Sequence, residues 1–258
     1  MDNFVWSWYT RGSPKTMKNT PASRLYSILI LAVLAAGCNP PKYAVYESIN
    51  KDFTASVPWG WQVMTDQQDN DFAQTTFIGP FDPDFYLGAP SMSVRWYRRY
   101  RPHRLTDGRL EMYSGAGDFI NQTLRQVYGP EYLIMSLDGK LSYSRGPKDE
   151  SIEVIPEITL KQSGLKVRAF IVESATPAPQ ANQWGISVQA GTGKPFVLRK
   201  HAYVLVPIED GFYVLTYPAT ERGYQNSVDR FAGLIGSFLP HIAGPGGSKI
   251  RVPGSLGK

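Results

Sequence analysis

Two apolar runs near the end of the chain constrain the fold more than any other feature. Phe196–Pro207 and Gly211–Tyr217 are rich in Val, Leu, Tyr and Phe, and Glu209, Asp210 and Gly211 mark their junction. β-Branched and aromatic residues suit a pleated, half-buried surface. Two such runs joined by a short turn with a glycine specify a hairpin. A helix follows over Gly223–Leu239. There Tyr224, Val228, Phe231, Ile235 and Phe238 recur at spacings of three and four, which gives one apolar face, and Pro240 stops it.

Earlier segments alternate in the same way. Phe53, Ala55 and Val57 mark a strand that runs into a turn at Pro58, Trp59, Gly60 and Trp61, after which Val63 resumes the chain. Thr75–Ile78 reads as a strand ended by Gly79 and Pro80, and Phe81–Pro90 as a loop. Met92, Val94 and Trp96 alternate with Ser93 and Arg95. Ala116, Ile120, Leu124 and Val127 predict a helix over Ser114–Tyr128, capped by Ser114 and ended by Gly129 and Pro130. Strands are expected at Tyr132–Leu137, Ile152–Leu160 and Leu165–Glu173, then a long loop or inserted hairpin over 175–195. The order of strands, helix, strands, helix predicts an α+β fold, a twisted and mainly antiparallel sheet packed against helices. Phe53, Val57, Trp61, Trp96, Ile120, Leu124, Phe212, Val214, Phe231 and Ile235 are expected to share one core. The domain is expected over 46–240, with a Gly-, Ser- and Lys-rich flexible tail over 241–258.

The early strand and turn, SVPWGWQV, resemble the PsbP-like family, which is related in fold to the Ran-binding Mog-type proteins. The ending is similar too: the hairpin YVLVPIEDGFYVLTYPA leads into the helix YQNSVDRFAGLIGSF. The resemblance covers roughly 46–240 and rests on patterns of strands and aromatics. It implies an α/β/α sandwich that serves as a binding or assembly module rather than an enzyme. The photosystem and Ran-binding roles do not carry over, because no residue set specific to either is visible. The 175–195 segment departs from a minimal version of the fold.

Residues 25–38 read LYSILILAVLAAGC. The apolar segment is too short for a bilayer span, which takes roughly 20 residues, and fits the core of a secretory signal. Lys18 and Arg24 supply the positive region before it. The segment resembles a bacterial lipoprotein signal, whose box ends in Gly-Cys or Ala-Cys. That resemblance implies that Cys38 receives a diacylglycerol thioether, becomes the first residue after cleavage, and takes a further acyl chain such as palmitate on its amine. Ala35 stands where leucine is commonest, with Leu34 adjacent. The alternative is a plain signal peptide with a chance cysteine. Residues 1–37 are thus the expected signal and 38–45 a lipidated tether. Met17 offers a more compact start than Met1, the alternative being a long leading region. By resemblance to enterobacterial sorting, Asn39 favours the outer over the inner membrane.

Charge follows from the same division. Residues 1–37 hold Arg11, Lys15, Lys18, Arg24 and Asp2, a net +3 of the chain's +5, which leaves +2 from Cys38 onward. A concentrated basic footprint of the kind nucleic acid requires is therefore not indicated. Cys38 is the only cysteine, so once lipidated it leaves no disulfide, thiolate metal site or cysteine nucleophile.

Signatures of catalysis are lacking. His103, His201 and His241 have no metal-ligand spacing, and His201 reads as a solvent-facing strand residue. Gly191–Lys194 echoes a phosphate loop, but Val188 stands where its first glycine belongs and Pro195 follows the lysine, so it reads as a turn. Asp82 and Asp84 read as turn residues, and Asp66, Asp69 and Asp71 as a solvated loop, with Ca²⁺ binding or a shared proton the alternative in each case. No metal or cofactor is expected.

The sharpest local feature is RWYRRYRPHR, with Arg95, Arg98, Arg99, Arg101 and Arg104 among three aromatics. Guanidinium groups bind phosphate and carboxylate bidentately and stack on rings. In a lipid-anchored protein the anions at hand are lipid headgroups, lipopolysaccharide phosphates and cell-wall carboxylates. These arginines are the candidate anion-binding surface, at least three exposed on one face, and the alternative is a solvated or locally paired strand end. The expected function is a lipid-anchored, non-catalytic binding or assembly module of the bacterial envelope. Its partners would be the membrane through Cys38, and anionic lipid, lipopolysaccharide or an envelope protein, not nucleic acid. The alternatives are an envelope hydrolase with an unrecognised site and a structural anchor between outer membrane and wall.

Overall fold

A computed structural model describes residues 41–250, apart from 68, 83–88, 105–107, 109, 129–131, 136–140, 146–154, 156, 178–186 and 189–194. Cys38, Met17, Asp84 and Gly191–Lys194 lie outside the described residues, as does the side chain of Leu124.

The expected hairpin is the centre of the fold. β13 (Pro195–Ile208) and β14 (Gly211–Thr220) pair antiparallel from Ile208 opposite Gly211 to Arg199 opposite Thr220. A side chain at Gly211 would strike the Tyr97 carbonyl and the Trp96 ring, so the turn needs a residue without one. The remaining strands are β1 (Tyr43–Glu47), β2 (Phe53–Pro58), β3 (Gln62–Gln67), β4 (Phe72–Ile78), β5 (Ser91–Arg98), β6 (His103–Arg104), β7 (Leu110–Glu111), β8 (Tyr132–Met135), β9 (Leu141–Arg145), β10 (Glu157–Thr159), β11 (Lys166–Pro177), β12 (Ser187–Val188) and β15 (Leu239–Pro240). The main sheet runs β3-β4-β5-β14-β13-β11-β8-β9, with β10 on β11 and β12 on β13. Every pairing in it is antiparallel. β1, β2 and β15 form a small second sheet, and β6 and β7 a two-stranded one. The fold is α+β.

The central strands bury both faces, and this overturns the expectation of one core. Phe53, Val57, Trp96, Phe231 and Ile235 are buried together on one face, with Trp61 partly buried against them. Ile120, Phe212 and Val214 belong to a second buried cluster with Tyr97, Phe119, Phe170 and Leu205. Residues of β14 alternate between the two: Tyr213 and Leu215 face the first, Phe212 and Val214 the second. Helix α1 (Ala116–Tyr128) supplies Phe119 and Ile120 to the second face, and α2 (Glu221–Ser237) supplies Phe231, Leu234 and Ile235 to the first. The sheet separates the two helices.

Helix ends differ slightly from expectation. α2 begins two residues earlier than Gly223, because the Thr220 side chain caps it by accepting from the Gly223 N–H at 3.0 Å. It ends at Ser237, and Pro240 instead closes a short strand against Phe53. Before α1, Ser114 donates from its N–H and hydroxyl to Asp118 at 2.9 and 3.2 Å. Those bonds hold the Asp118 carboxyl below its usual range, against the opposing push of its burial.

Both domain boundaries move outward. The unit begins before residue 46, since β1 pairs along its length with β2, from Tyr43 opposite Pro58 to Glu47 opposite Thr54. Nor does it end at 240. The His241 and Ile242 N–H groups donate to the Asp52 carbonyl, Ile250 donates to His241, and Ala243 is buried. Gly244, at φ +71°, lies so close to the Trp96 indole that no side chain fits. Composition read 241–250 as a tail, whereas backbone bonding makes it part of the domain.

Candidate functional site

The arginine stretch begins on β5, beside β14. Alternation points Met92, Val94 and Trp96 into the first core and leaves Ser93, Arg95 and Tyr97 on the second face. Arg95 is half-buried there. Burial pushes the Tyr97 phenol up, and the Arg95 guanidinium beside it partly offsets that rise. Arg98, the last residue of the strand, is exposed. Its Nη1 lies 3.3 Å from Asp71 Oδ1, and its N–H donates to the Asp71 carbonyl at 2.9 Å. Arg99 turns back to the central hairpin: Nη2 donates to the Ile208 carbonyl at 3.1 Å and the N–H to that of Asp210 at 3.1 Å.

Beyond the strand the chain turns outward. Tyr100 has φ 56°, a left-handed conformation that a non-glycine residue adopts at a cost. Its N–H donates to the Tyr113 carbonyl at 2.8 Å and its side chain is exposed. Arg101 and Arg104 are exposed as well. The five arginines therefore divide: Arg95 and Arg99 are half-buried, while Arg98, Arg101 and Arg104 reach solvent.

β6 and β7 carry this turn on an aromatic base that sequence reasoning missed. His103 is buried, its ring stacked on Phe72 at 5.1 Å and 11° and edge-on to Tyr97 at 4.8 Å. Its Nε2 lies 3.6 Å from Glu111 Oε2, longer than a hydrogen bond, and the two form an ion pair only when the ring is protonated. The Tyr113 hydroxyl donates a short bond to Glu111. Burial pulls the His103 pKa down, with Glu111 opposing, and pushes the Tyr113 phenol up, with Glu111 reinforcing. The signal lay in the pairing of His103 with Glu111. A two-residue strand is too short to show alternation, so the pattern was not readable. This group lies on the second face, and none of His103, Glu111 and Tyr113 lines the described cavity.

That cavity, about 50 Å³, lies on the first face, where Asp52, Thr65, Ala73, Trp96 and Tyr213 line it. Small-ligand sites are several times larger, about 300–1,000 Å³. Asp52, 3% exposed, accepts from the Ser48 hydroxyl in a short bond. The Tyr213 hydroxyl lies 3.0 Å from Asp52 Oδ2 and 2.9 Å from the Ile242 carbonyl, and accepts from the Gly244 N–H at 3.0 Å. This network ties 241–250 to the β1–β2 turn.

The other candidates take structural places. His201 is half-buried opposite Val172 and Pro218, not solvent-facing, because its odd position on β13 points it to the second face. Burial, with Arg199 adding to it, pushes its pKa down to about 4. His241 Nε2 lies 3.1 Å from Thr54 Oγ1. Asp69 Oδ1 accepts from the Asp71 and Phe72 N–H groups, as a turn residue does, and Asp66 sits exposed on β3. Asp82 accepts from Asn226 at 3.2 Å. Among the described residues, no three His, Cys, Asp or Glu side chains gather as a metal site would require.

No protein-family profile and no curated protein sequence matches the chain. Solved structures resemble its fold. A Mog1 point mutant matches at 12% identity over 78% of this chain and 96% of its own, with a TM-score of 0.40. Cyanobacterial PsbP from Synechocystis sp. PCC 6803 matches at 10% identity over 79% and 95%, with a TM-score of 0.37. A Bacteroides thetaiotaomicron protein matches at 8% identity over 78% of this chain, with a TM-score of 0.35; the chain covers 49% of it, about half its length. Mog1 and PsbP are the two kinds of protein named by the resemblance in the sequence. At these levels the likenesses say nothing of function, and the fold class rests on the strand pairing itself.

Proposed function

We propose that this protein is a lipid-anchored, non-catalytic binding module of the bacterial cell envelope, held by a lipid on Cys38 and presenting Arg98, Arg101 and Arg104 to an anionic partner. The observation that carries the binding role is the division of the arginines. Arg99 is fastened to the central hairpin and Arg95 lies against Tyr97, while Arg98 at the strand end, beside Asp71, and Arg101 and Arg104 beyond it are exposed. The anchor is supported by the apolar run ending at Cys38, and Asn39 favours the outer membrane. Two or three acyl chains make such anchoring stable, since each buried CH₂ contributes about 0.8 kcal/mol.

Metabolic labelling with a lipid precursor tests the anchor. The protein takes the label, and Cys38→Ala abolishes it and releases the protein from the membrane fraction. Label retained by Cys38→Ala refutes the lipoprotein reading.

A further inference from the structure

Building on that reading, we infer that Tyr100, Arg101, Arg104, Leu110 and Met112, with Arg98 at their edge, form a face that lies on an anionic phospholipid surface. The pairing of β6 with β7 sets its two sides. His103 lies opposite Glu111, and Arg104 opposite Leu110. Neighbouring residues on a strand point to opposite sides. The His103 and Glu111 side packs into the aromatic base, which leaves Arg104 and Leu110 on the outer side. Both are exposed, Leu110 by 66%.

Two further large apolar side chains stand out in the same short segment, Tyr100 by 68% and Met112 by 53%. Each is held by its frame: Tyr100 by the left-handed turn and its bond to the Tyr113 carbonyl, Met112 by its place between Glu111 and buried Tyr113. Exposed hydrocarbon interleaved with guanidinium suits a membrane interface, where cations meet headgroup phosphates and apolar tips enter the acyl boundary. Tyrosine is enriched at headgroup depth.

Charge complementarity selects the occupant. Glu111 is turned inward, where Tyr113 and His103 engage it, so its negative charge is withdrawn from the outer side, and Asp71 meets Arg98 at the edge. A nucleic acid would satisfy the arginines but offers no hydrocarbon for Leu110 and Met112. An anionic bilayer satisfies both. The lipid on Cys38 supplies attachment, and this face sets how the domain lies on the surface.

The test uses the chain from Cys38 to Lys258 with Cys38→Ser, which keeps the compact unit 41–258 and removes the lipid. Binding is measured to vesicles of phosphatidylcholine and to equimolar phosphatidylcholine and phosphatidylglycerol. The unlipidated chain binds the anionic vesicles at least tenfold more tightly, and added salt weakens that binding. Each basic residue at such a surface contributes up to about fivefold, and Arg98 shares its charge with Asp71, so Arg98→Ser, Arg101→Ser and Arg104→Ser together remove roughly tenfold or more. Leu110→Ser with Met112→Ser weakens binding while leaving its salt dependence intact. Tyr100→Trp reports insertion by a blue shift of its emission on anionic vesicles alone. Equal binding to the two vesicles, binding that survives both sets of substitutions, or tighter binding to lipopolysaccharide at equal phosphate overturns the inference. Because no lipid is attached in this assay, such a failure leaves the Cys38 anchor standing, and loss of labelling at Cys38 leaves the face standing.

Discussion

At the residue scale, His103 and His201 are the groups whose charge the fold opposes. Both pKa values are lowered from 6.5 by burial, that of His201 to about 4. Unfolding returns them to the solvent value, so below about pH 6.5 the unfolded chain binds more protons than the folded one. Their contribution to stability is complete above that pH and is lost as pH falls, for His201 down to about 4. Around His103, Glu111 and Asp69 resist this loss and Arg95 adds to it. The urea midpoint therefore decreases from about pH 7 to about pH 5. The double substitution His103→Phe and His201→Gln flattens that decrease, the phenyl ring keeping the stack on Phe72. An undiminished slope in the double variant would assign the acid sensitivity elsewhere.

At the element scale, the segment after Pro240 behaves as a strap rather than a tail. Its attachment converges on the Tyr213 hydroxyl, which sits between Asp52, Ile242 and Gly244. Tyr213→Phe keeps the ring in the first core but leaves the buried Asp52 Oδ2 without this partner, while the Gly244 N–H keeps its 2.9 Å bond to the Ile242 carbonyl. Buried groups left in that state cost about 1–3 kcal/mol each. The variant should lose stability in that range by urea unfolding, and a chain ending at Pro240 should lose at least as much. If removing 241–258 leaves stability unchanged, the strap is not part of the folding unit.

For the whole molecule, the two cores on opposite faces of one sheet predict independence. Ile120 is buried on the inner side of α1 and Ile235 on that of α2. Each change to Ala should cost about 2–5 kcal/mol. Residues without shared partners combine additively, so the double variant should equal the sum within about 0.5 kcal/mol. A larger coupling energy would mean that the sheet transmits repacking from one face to the other.

What the sequence determined by itself was the local periodicity. Spacings of three and four along Tyr224–Phe238, and alternation along Met92–Trp96, depend only on backbone geometry, so both helices and the main strands were legible. So was the run of arginines. Tertiary structure decided which side of a strand each residue faced and which segments found partners. From Phe212 to Leu215 the odd and even positions of β14 are alike apolar, so no pattern there could reveal that Phe212 and Tyr213 enter different cores. β3 is exposed throughout and alternates nothing, so only its pairing with β4 makes it a strand. β6 and β7 are two residues each, and the 241–250 segment is glycine-rich and follows no period. Backbone pairing supplies the order, with the neighbouring strand for β3, β6 and β7 and with distant Asp52 for 241–250, and composition carries no trace of it. The same geometry left Arg98, Arg101 and Arg104 exposed and Arg95 and Arg99 half-buried, because exposure is set by what the fold brings beside each side chain.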